Sequence, residues 1–358
     1  MHALLVTGGA GFIGSNFVHF WQAQHPQHTL VVLDALTYAG NRHNLQACHG
    51  RPGFHFVHGS INDQPLVESL LRAHAIDTVV HFAAESHVDR SIYGPDAFIE
   101  TNVLGTHTLL KAARQVWSEQ GSFAGKRFHH VSTDEVYGTL GPTDPAFRET
   151  TPYAPNSPYA ASKACSDHLV RAYHHTYGLP VTTSNCSNNY GPYQFPEKLL
   201  PLCLLNILQG KPLPLYGNGL QIRDWLHVDD HNRGIARILE AGVTGETYNI
   251  GGNNECTNLD TVKLLCRTVD AAFAADPSLG QRFPQSPCSR GQQAASLITF
   301  VKDRPGHDTR YAIDAGKLTR ELGYTPARSF ADGLATTVAW YFAHEPWWRG
   351  IQDQSYRH

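Results

Sequence analysis

Short apolar runs at residues 3–7, 29–33, 54–57, 78–82 and 128–132 punctuate the first half of the chain. The first, Ala3-Leu4-Leu5-Val6-Thr7, is continuous and closed by Gly8, as a strand buried on both faces of a parallel sheet reads. Between the runs, residues 12–24, 63–74 and 101–117 repeat their apolar positions at helical spacing. Strand and helix alternate, which predicts an α/β fold with a doubly wound parallel sheet. After Gly191 the alternation weakens, and Pro- and Gly-rich pieces such as Gly210-Lys211-Pro212-Leu213-Pro214 interleave with shorter elements. Two units follow: residues 1–190, to which later segments return, and residues 191–358 as a smaller lobe completing a cleft. Residues 276–293, rich in Pro, Gln and Ser, read as an extended surface loop.

At 358 residues the chain exceeds the size at which one core keeps growing, which supports two units. The net charge of -3 provides no basic field for nucleic acid or an anionic membrane, so any anionic ligand must be held locally. No apolar run approaches the roughly 18 residues that span a bilayer, and the expected location is the cytoplasm. The seven cysteines are scattered and never form Cys-x-x-Cys, which argues against disulfides and thiolate metal sites. The 22 histidines lack zinc-ligand spacing, so no metal is expected. With charged residues at only 16%, they read as surface substitutes for Lys and Glu.

Gly8, Gly11 and Gly14 lie between the first strand and first helix. Glycines there permit a tight turn and close approach of the backbone to a pyrophosphate, to which the helix start offers free N–H groups. Asp34, 20 residues past Gly14 at the end of the second run, fits an acid bonding the ribose hydroxyls. The first unit therefore reads as a Rossmann-type dinucleotide-binding domain, and the acid favours NAD over NADP, whose 2′-phosphate it would repel.

Tyr159 and Lys163 share a helix face, where an ammonium lowers a nearby phenol's pKa from about 10 toward neutrality. A tyrosine so tuned exchanges a proton with an alcohol while hydride leaves the same carbon. Upstream, Ser132-Thr133-Asp134-Glu135-Val136-Tyr137-Gly138 sets two carboxyls side by side. Alone they read as acids at a helix start; with Tyr159 and Lys163 they point to elimination.

These motifs, with FAAESHVDRS (82–91), NCSNNYGPYQFPEKL (185–199), QIRDW (221–225), YNIGG (248–252) and DRPGHD (303–308), closely resemble the dTDP-glucose 4,6-dehydratases, a family of extended short-chain dehydrogenases/reductases. The likeness runs nearly end to end. The Gly loop and Tyr-x-x-x-Lys mark only the superfamily, whereas Thr-Asp-Glu and DRPGHD are specific to such nucleotide-sugar dehydratases. It implies that Tyr159 takes the C4 hydroxyl proton as hydride passes to NAD. Glu135 then removes the C5 proton, protonated Asp134 releases the C6 hydroxyl as water, and hydride returns to C6 and a proton to C5, giving 4-keto-6-deoxyglucose. Thr133 assists Tyr159 at O4.

The same resemblance assigns cofactor contacts to Gly8, Gly11, Phe12, Ile13 and Gly14, to Asp34, Ala35, Leu36 and Thr37, to Ser60 and Ile61, and to Phe82, Ala83, Ala84 and Ser86. Thr101, Tyr159, Lys163 and Asn189 complete that set. Nucleotide-sugar contacts fall to Ser86, Thr133, Asp134, Asn188, Lys198 and Leu199, to Pro214, Leu215 and Tyr216, and to Arg223 and Asn258. The loop Asp303, Arg304, Pro305, Gly306 and His307 joins them. Lys198 and Arg223 make sensible diphosphate partners, and Tyr216 suits stacking on a pyrimidine. A homodimer is the family expectation. Two positions depart from the family pattern: Ala35, where Lys is frequent, and Ser60, where an Asp usually meets the adenine amino group. A UDP-sugar 4-epimerase or decarboxylase would lack the Asp-Glu pair, and a non-catalytic dinucleotide sensor should have lost Tyr159, Lys163 or that pair.

Overall fold

In the computed structural model, which describes residues 1–357, seven parallel strands form the central sheet. They are β1 (Ala3–Thr7), β2 (Thr29–Asp34), β3 (Phe54–His58), β4 (Thr78–His81), β5 (Arg127–Thr133), β6 (Val181–Cys186) and β10 (Thr247–Ile250), in the order β10-β6-β5-β4-β1-β2-β3. The centres of β1, β2 and β4 are apolar, with Leu4, Leu5, Val6, Val31, Val32 and Val80 sealed between helical layers, as runs without alternation require. The chain runs outward from β1 to β3 and then restarts at β4 on β1's other side. The helices that follow β1 and β4 therefore pack into different cores, and a crevice opens at the carboxyl ends of the strands.

The expected strands and helices occur with shifted ends. β5 runs on to Thr133, which delivers the acid pair to the sheet edge. The expected helix at 101–117 begins earlier, as a π-helical segment Ile99–Gly105 that passes into the α-helix Thr106–Glu119. β10 lies past residue 190 yet pairs with β6, so the later part of the chain closes the first sheet.

The second lobe holds β7 (Asn188–Tyr190), β9 (Ile222–His227) and β11 (Glu255–Thr257) in one small sheet, and β8 (Leu213–Tyr216) with β12 (Ile298–Val301) in another. Its core joins Leu204, Trp225, Val262, Leu265, Tyr341 and Trp348. Residues 276–293 are not the extended loop their composition predicts. They contain the helix Ser278–Arg282 and a 3₁₀ turn Pro287–Arg290, and Leu279 and Phe283 are buried in the lobe's core. The apolar anchors spaced through that polar stretch outweigh its Pro and Ser content.

The histidines also differ from expectation. His81, His129, His130 and His231 are all at most 1% exposed, each bonded to a neighbouring hydroxyl, carboxylate or amide, so surface substitution does not explain them. Desolvation holds all four neutral, with His130 lowered to about 4 and His231 to about 3. In His81 and His129 the neutral imidazole bonds through both ring nitrogens, whereas His130 and His231 each use one.

Candidate active site

The crevice between the lobes is a cavity of about 810 Å³, bordered by the β1 loop at one end and by β8, β9 and the 303–308 loop at the other. At the first end the contacts are main chain. Gly8 sits at φ +69°, and a Cβ there would lie 2.6 Å from the Ala83 backbone, so the β1 and β4 loops touch as only glycine allows. The helix Phe12–Gln24 begins at Gly11 with no capping side chain and no acid in its first turn, leaving its positive end to the crevice. Asp34, at the end of β2, accepts from the Ala10 and Leu36 amides, both at 2.8 Å. Burial raises its pKa, and those two amides pull it back. A bare helix start, a glycine cradle and a carboxylate at the second strand's end fit a dinucleotide with free ribose hydroxyls.

Midway along, Thr133, Asp134 and Glu135 leave β5 into a 3₁₀ turn in which the Thr133 hydroxyl accepts from the Glu135 amide at 3.3 Å. Asp134 is 1% exposed, and its Oδ2 is buried without a hydrogen-bond partner. Burial, then the neighbouring Glu135 and Asp224, push this carboxyl well above the usual range. Burial also raises Glu135, but Lys198, Arg223 and Arg304 oppose the shift. The two carboxyls thus occupy different environments, one favouring the acid and the other supporting the carboxylate.

Tyr159 faces the same space, but its tuning differs from the sequence expectation. Lys163 donates to the Val131 carbonyl at 2.8 Å, and burial lowers its own pKa. The Tyr159 phenol is pushed well up rather than down, by burial first and then by Glu135, with a bond to Thr133 drawing it back. Desolvation is the first cause at both residues and penalises the charged form of each.

At the far end the groups are charged side chains. Lys198 reaches the Ser86 carbonyl at 2.9 Å, and Arg223 donates to the Ile222 and Asp308 carbonyls at 2.7 and 3.1 Å while lying over the Tyr311 ring. Neither forms an ion pair within 4 Å among the described residues, so both cations remain available to an anion in the cleft. Arg304 is paired with Asp89 at 2.7 Å, and Tyr216 also donates to Asp89, at 3.1 Å, tying the two lobes across the cleft mouth. The buried Asn188 Oδ1 and Arg304 Nε, both of cleft-lining residues, have no hydrogen-bond partner among the described residues.

Of the residues expected at the site, Leu36, Asp303, Pro305 and Gly306 do not border the cavity. Leu36 packs on the core beneath β2, and Asp303 binds His307 at 2.6 Å and Gln221 at 3.1 Å from behind. The other expected residues line it, Thr101, Asn189, Leu199, Pro214, Leu215 and Asn258 included. Sequence reasoning missed Glu85, Asp89, Cys186 and Tyr311. Glu85 and Asp89 stand inside the FAAESHVDRS motif and Cys186 inside NCSNNYGP, so a signal was present for those three; Tyr311 has no local signal.

A dinucleotide cradle and unpaired cations flanking an acid pair define an enzyme that uses a dinucleotide on a phosphorylated substrate. A family profile described as GDP-mannose 4,6 dehydratase matches residues 5–337. The dTDP-glucose 4,6-dehydratase of Xanthomonas campestris pv. campestris (strain B100) is 55% identical, covering 100% of this chain and 98% of its own. That of Neisseria meningitidis serogroup B (strain ATCC BAA-335 / MC58) is 50% identical over the same shares. The solved dTDP-glucose 4,6-dehydratase of Streptomyces venezuelae, with NAD bound, has a TM-score of 0.86 at 50% identity, covering 98% of this chain and 99% of that one. A UDP-glucuronic acid 4-epimerase from Bacillus cereus, in complex with UDP-glucuronic acid and NAD, reaches 0.80 at 28% identity, covering 95% and 99%. The chain belongs to the nucleotide-sugar 4,6-dehydratases and, within them, to the dTDP-glucose 4,6-dehydratases.

Proposed function

We propose that this enzyme converts dTDP-glucose to dTDP-4-keto-6-deoxyglucose with NAD, and that Thr133, Asp134, Glu135, Tyr159 and Lys163 carry the chemistry. The observation that carries the assignment of roles is the split environment of the acid pair: a buried, proton-favouring Asp134 beside a Glu135 opposed by three cations. NAD, when bound, accepts hydride from C4 of the sugar and returns it to C6. Tyr159 takes the O4 proton as the phenolate, a form that Thr133, the positive charge of Lys163 and that of a bound nicotinamide ring would favour against burial. Glu135 removes the C5 proton, made acidic by the adjacent ketone. Asp134 donates its proton to the departing C6 oxygen, water leaves, and a proton returns to C5 as hydride reaches C6. Lys198 and Arg223 hold the diphosphate through charge-assisted bonds. The Gly8 loop, the helix start at Gly11 and Asp34 hold the dinucleotide.

Incubation with dTDP-glucose and, separately, UDP-glucose tests the reading through the alkali-induced absorbance of a 4-keto-6-deoxy sugar. Product from dTDP-glucose is expected; epimerised sugar without that absorbance would transfer the chain to the epimerase reading.

We read the chain as two units meeting at about residue 190, with β10 belonging to the first. We also propose a homodimer in the cytoplasm. Ile99 and Leu104 (46% and 53% exposed) on the 99–105 segment and Tyr177 at the end of the helix Pro158–Tyr177 offer apolar surface for a second copy. No helix among the described residues is long and apolar enough to cross a membrane, and all seven cysteines are free, as suits a reducing compartment. Light scattering at micromolar concentration reads the mass directly.

A further inference from the structure

Behind the acid pair lies a buried carboxylate that the reaction as derived does not use. Asp167 is on the helix Pro158–Tyr177, four residues past Lys163, and is 6% exposed. Its Oδ2 accepts from the Ser132 hydroxyl and from the Tyr153 hydroxyl, both at 2.9 Å, and from Asn185 Nδ2 at 3.4 Å. Its Oδ1 meets His130 Nε2 at 3.0 Å. A carboxylate only accepts, so His130 carries its proton on Nε2, in keeping with the unpartnered Nδ1 on the far side of the ring. The same Asn185 amide also donates to the Thr133 carbonyl at 3.0 Å. One carboxylate thus gathers β5, β6, the 153 loop and the helix of Tyr159 at the point where β5 delivers Thr133, Asp134 and Glu135.

We propose that Asp167 is a positioning residue for the dehydration: its carboxylate fixes the end of β5 through Ser132 and Asn185 and supplies the buried negative charge faced by Lys163, without touching substrate or cofactor. This rests on the dehydratase reading of the site. The titratable groups that interact electrostatically with Lys163 are His81 from β4, His130 from β5, Cys186 from β6 and Asp167 from its own helix. The two histidines are neutral, and burial pushes the Cys186 thiol up to about 12. Asp167 is therefore the anion among these neighbours that opposes the desolvation of the ammonium.

The test follows Lys163 itself. Its 13Cε resonance in 13C-lysine-labelled holoenzyme, assigned by its disappearance in Lys163→Met, is titrated in wild type and in Asp167→Asn. Removing the charge should move the Lys163 midpoint about one pH unit down, with the alkaline limb of kcat moving by the same amount. Asp167→Glu should restore both, while Ser132→Ala and Tyr153→Phe, which keep the charge, should lower kcat with the limb unmoved. An unmoved Lys163 midpoint in Asp167→Asn, or a uniform loss of rate at every pH, overturns the proposal. Asp167→Ser serves the same measurement should Asp167→Asn not fold. The resonance reports the lysine whether or not dTDP-glucose is the substrate, so failure of this inference is distinguishable from failure of the function.

Discussion

The two ends of the cleft recognise ligands by opposite means. Around Gly8, Gly11 and Asp34 the binding surface is backbone: a glycine pressed on the Ala83 main chain, an uncapped helix start, and a carboxylate already held by two amides. Around Glu135, Lys198 and Arg223 it is side chains, whose charges balance one another across the two lobes. A backbone surface is damaged by adding atoms, because its contacts are made at van der Waals distance with nothing to rotate away. A side-chain surface is damaged by deleting a functional group, because each one is an isolated donor, acceptor or charge. The contrast predicts which substitutions matter at each end.

The largest effect is expected at the sugar end. Glu135→Gln keeps the volume and removes the base, so kcat should fall roughly 10²–10⁴-fold while the first hydride transfer persists. Rapid-quench analysis should find reduced cofactor and oxidised sugar accumulating together. An unchanged dehydration rate would sink the role given to Glu135.

At the cofactor end a single methyl group should act nearly as strongly. Gly8→Ala requires the left-handed backbone of a residue with a Cβ and drives that atom into Ala83, whereas Gly50→Ala has a similar φ of +78° with nothing within 4 Å of the new methyl. The strain alone costs about 1 kcal/mol, so Gly50→Ala should lower Tm slightly and leave cofactor binding intact. Gly8→Ala should add about 2 kcal/mol or more from the collision and release NAD during gel filtration. Equal behaviour of the two variants would show that the close approach at Ala83 is unimportant.

Arg223→Met comes next. It keeps an unbranched stem and removes the guanidinium that lies over Tyr311, a cation with no ion pair of its own, which charge-assisted bonding puts at about 2 kcal/mol, or roughly 30-fold in KM for the nucleotide sugar. Arg304→Met should cost less, because Asp89 already neutralises Arg304 and would be freed in the same step. Initial-rate kinetics on the two variants separate these cases, and a larger effect at Arg304 would reverse the order.

The same division explains what the sequence made legible. Strand, Gly loop and helix are consecutive, so local periodicity announced β1 to β3, the Gly8 to Gly14 turn and Asp34. The sugar end is assembled from residues 85–89, 133–135, 188–198, 214–223 and 304–311, with the Arg304–Asp89 pair spanning 215 positions. Nothing periodic links such segments, and only their resemblance to a family brought them together. Quantities set by the surroundings were illegible for a physical reason. The i, i+4 spacing of Tyr159 and Lys163 foretold attraction, but the desolvation that outweighs it depends on packing from β4, β5 and β6. Likewise, composition assigned the histidines to the surface, while four of them fill buried polar positions where a charge would be expensive.

The smallest expected effect concerns what an acid kept neutral does to the fold. Asp134 titrates near 3.9 in an unfolded chain and well above that when buried. Between those two values the native state holds a proton that the unfolded state has released, so unfolded chains bind fewer protons and stability falls as pH rises through that window. Below about pH 4 both states are protonated and the penalty vanishes. Asp134→Asn has no such proton to lose and otherwise resembles the neutral acid. Its Tm should therefore match wild type near pH 4 and exceed it by about 2 °C or more at pH 8, a difference of about 1 kcal/mol, while dehydration is lost. Calorimetry across that range reads the slope directly. A Tm difference that stays constant with pH would mean that Asp134 is ionised in the folded enzyme, and the acid toward O6 would have to be sought elsewhere in the cleft.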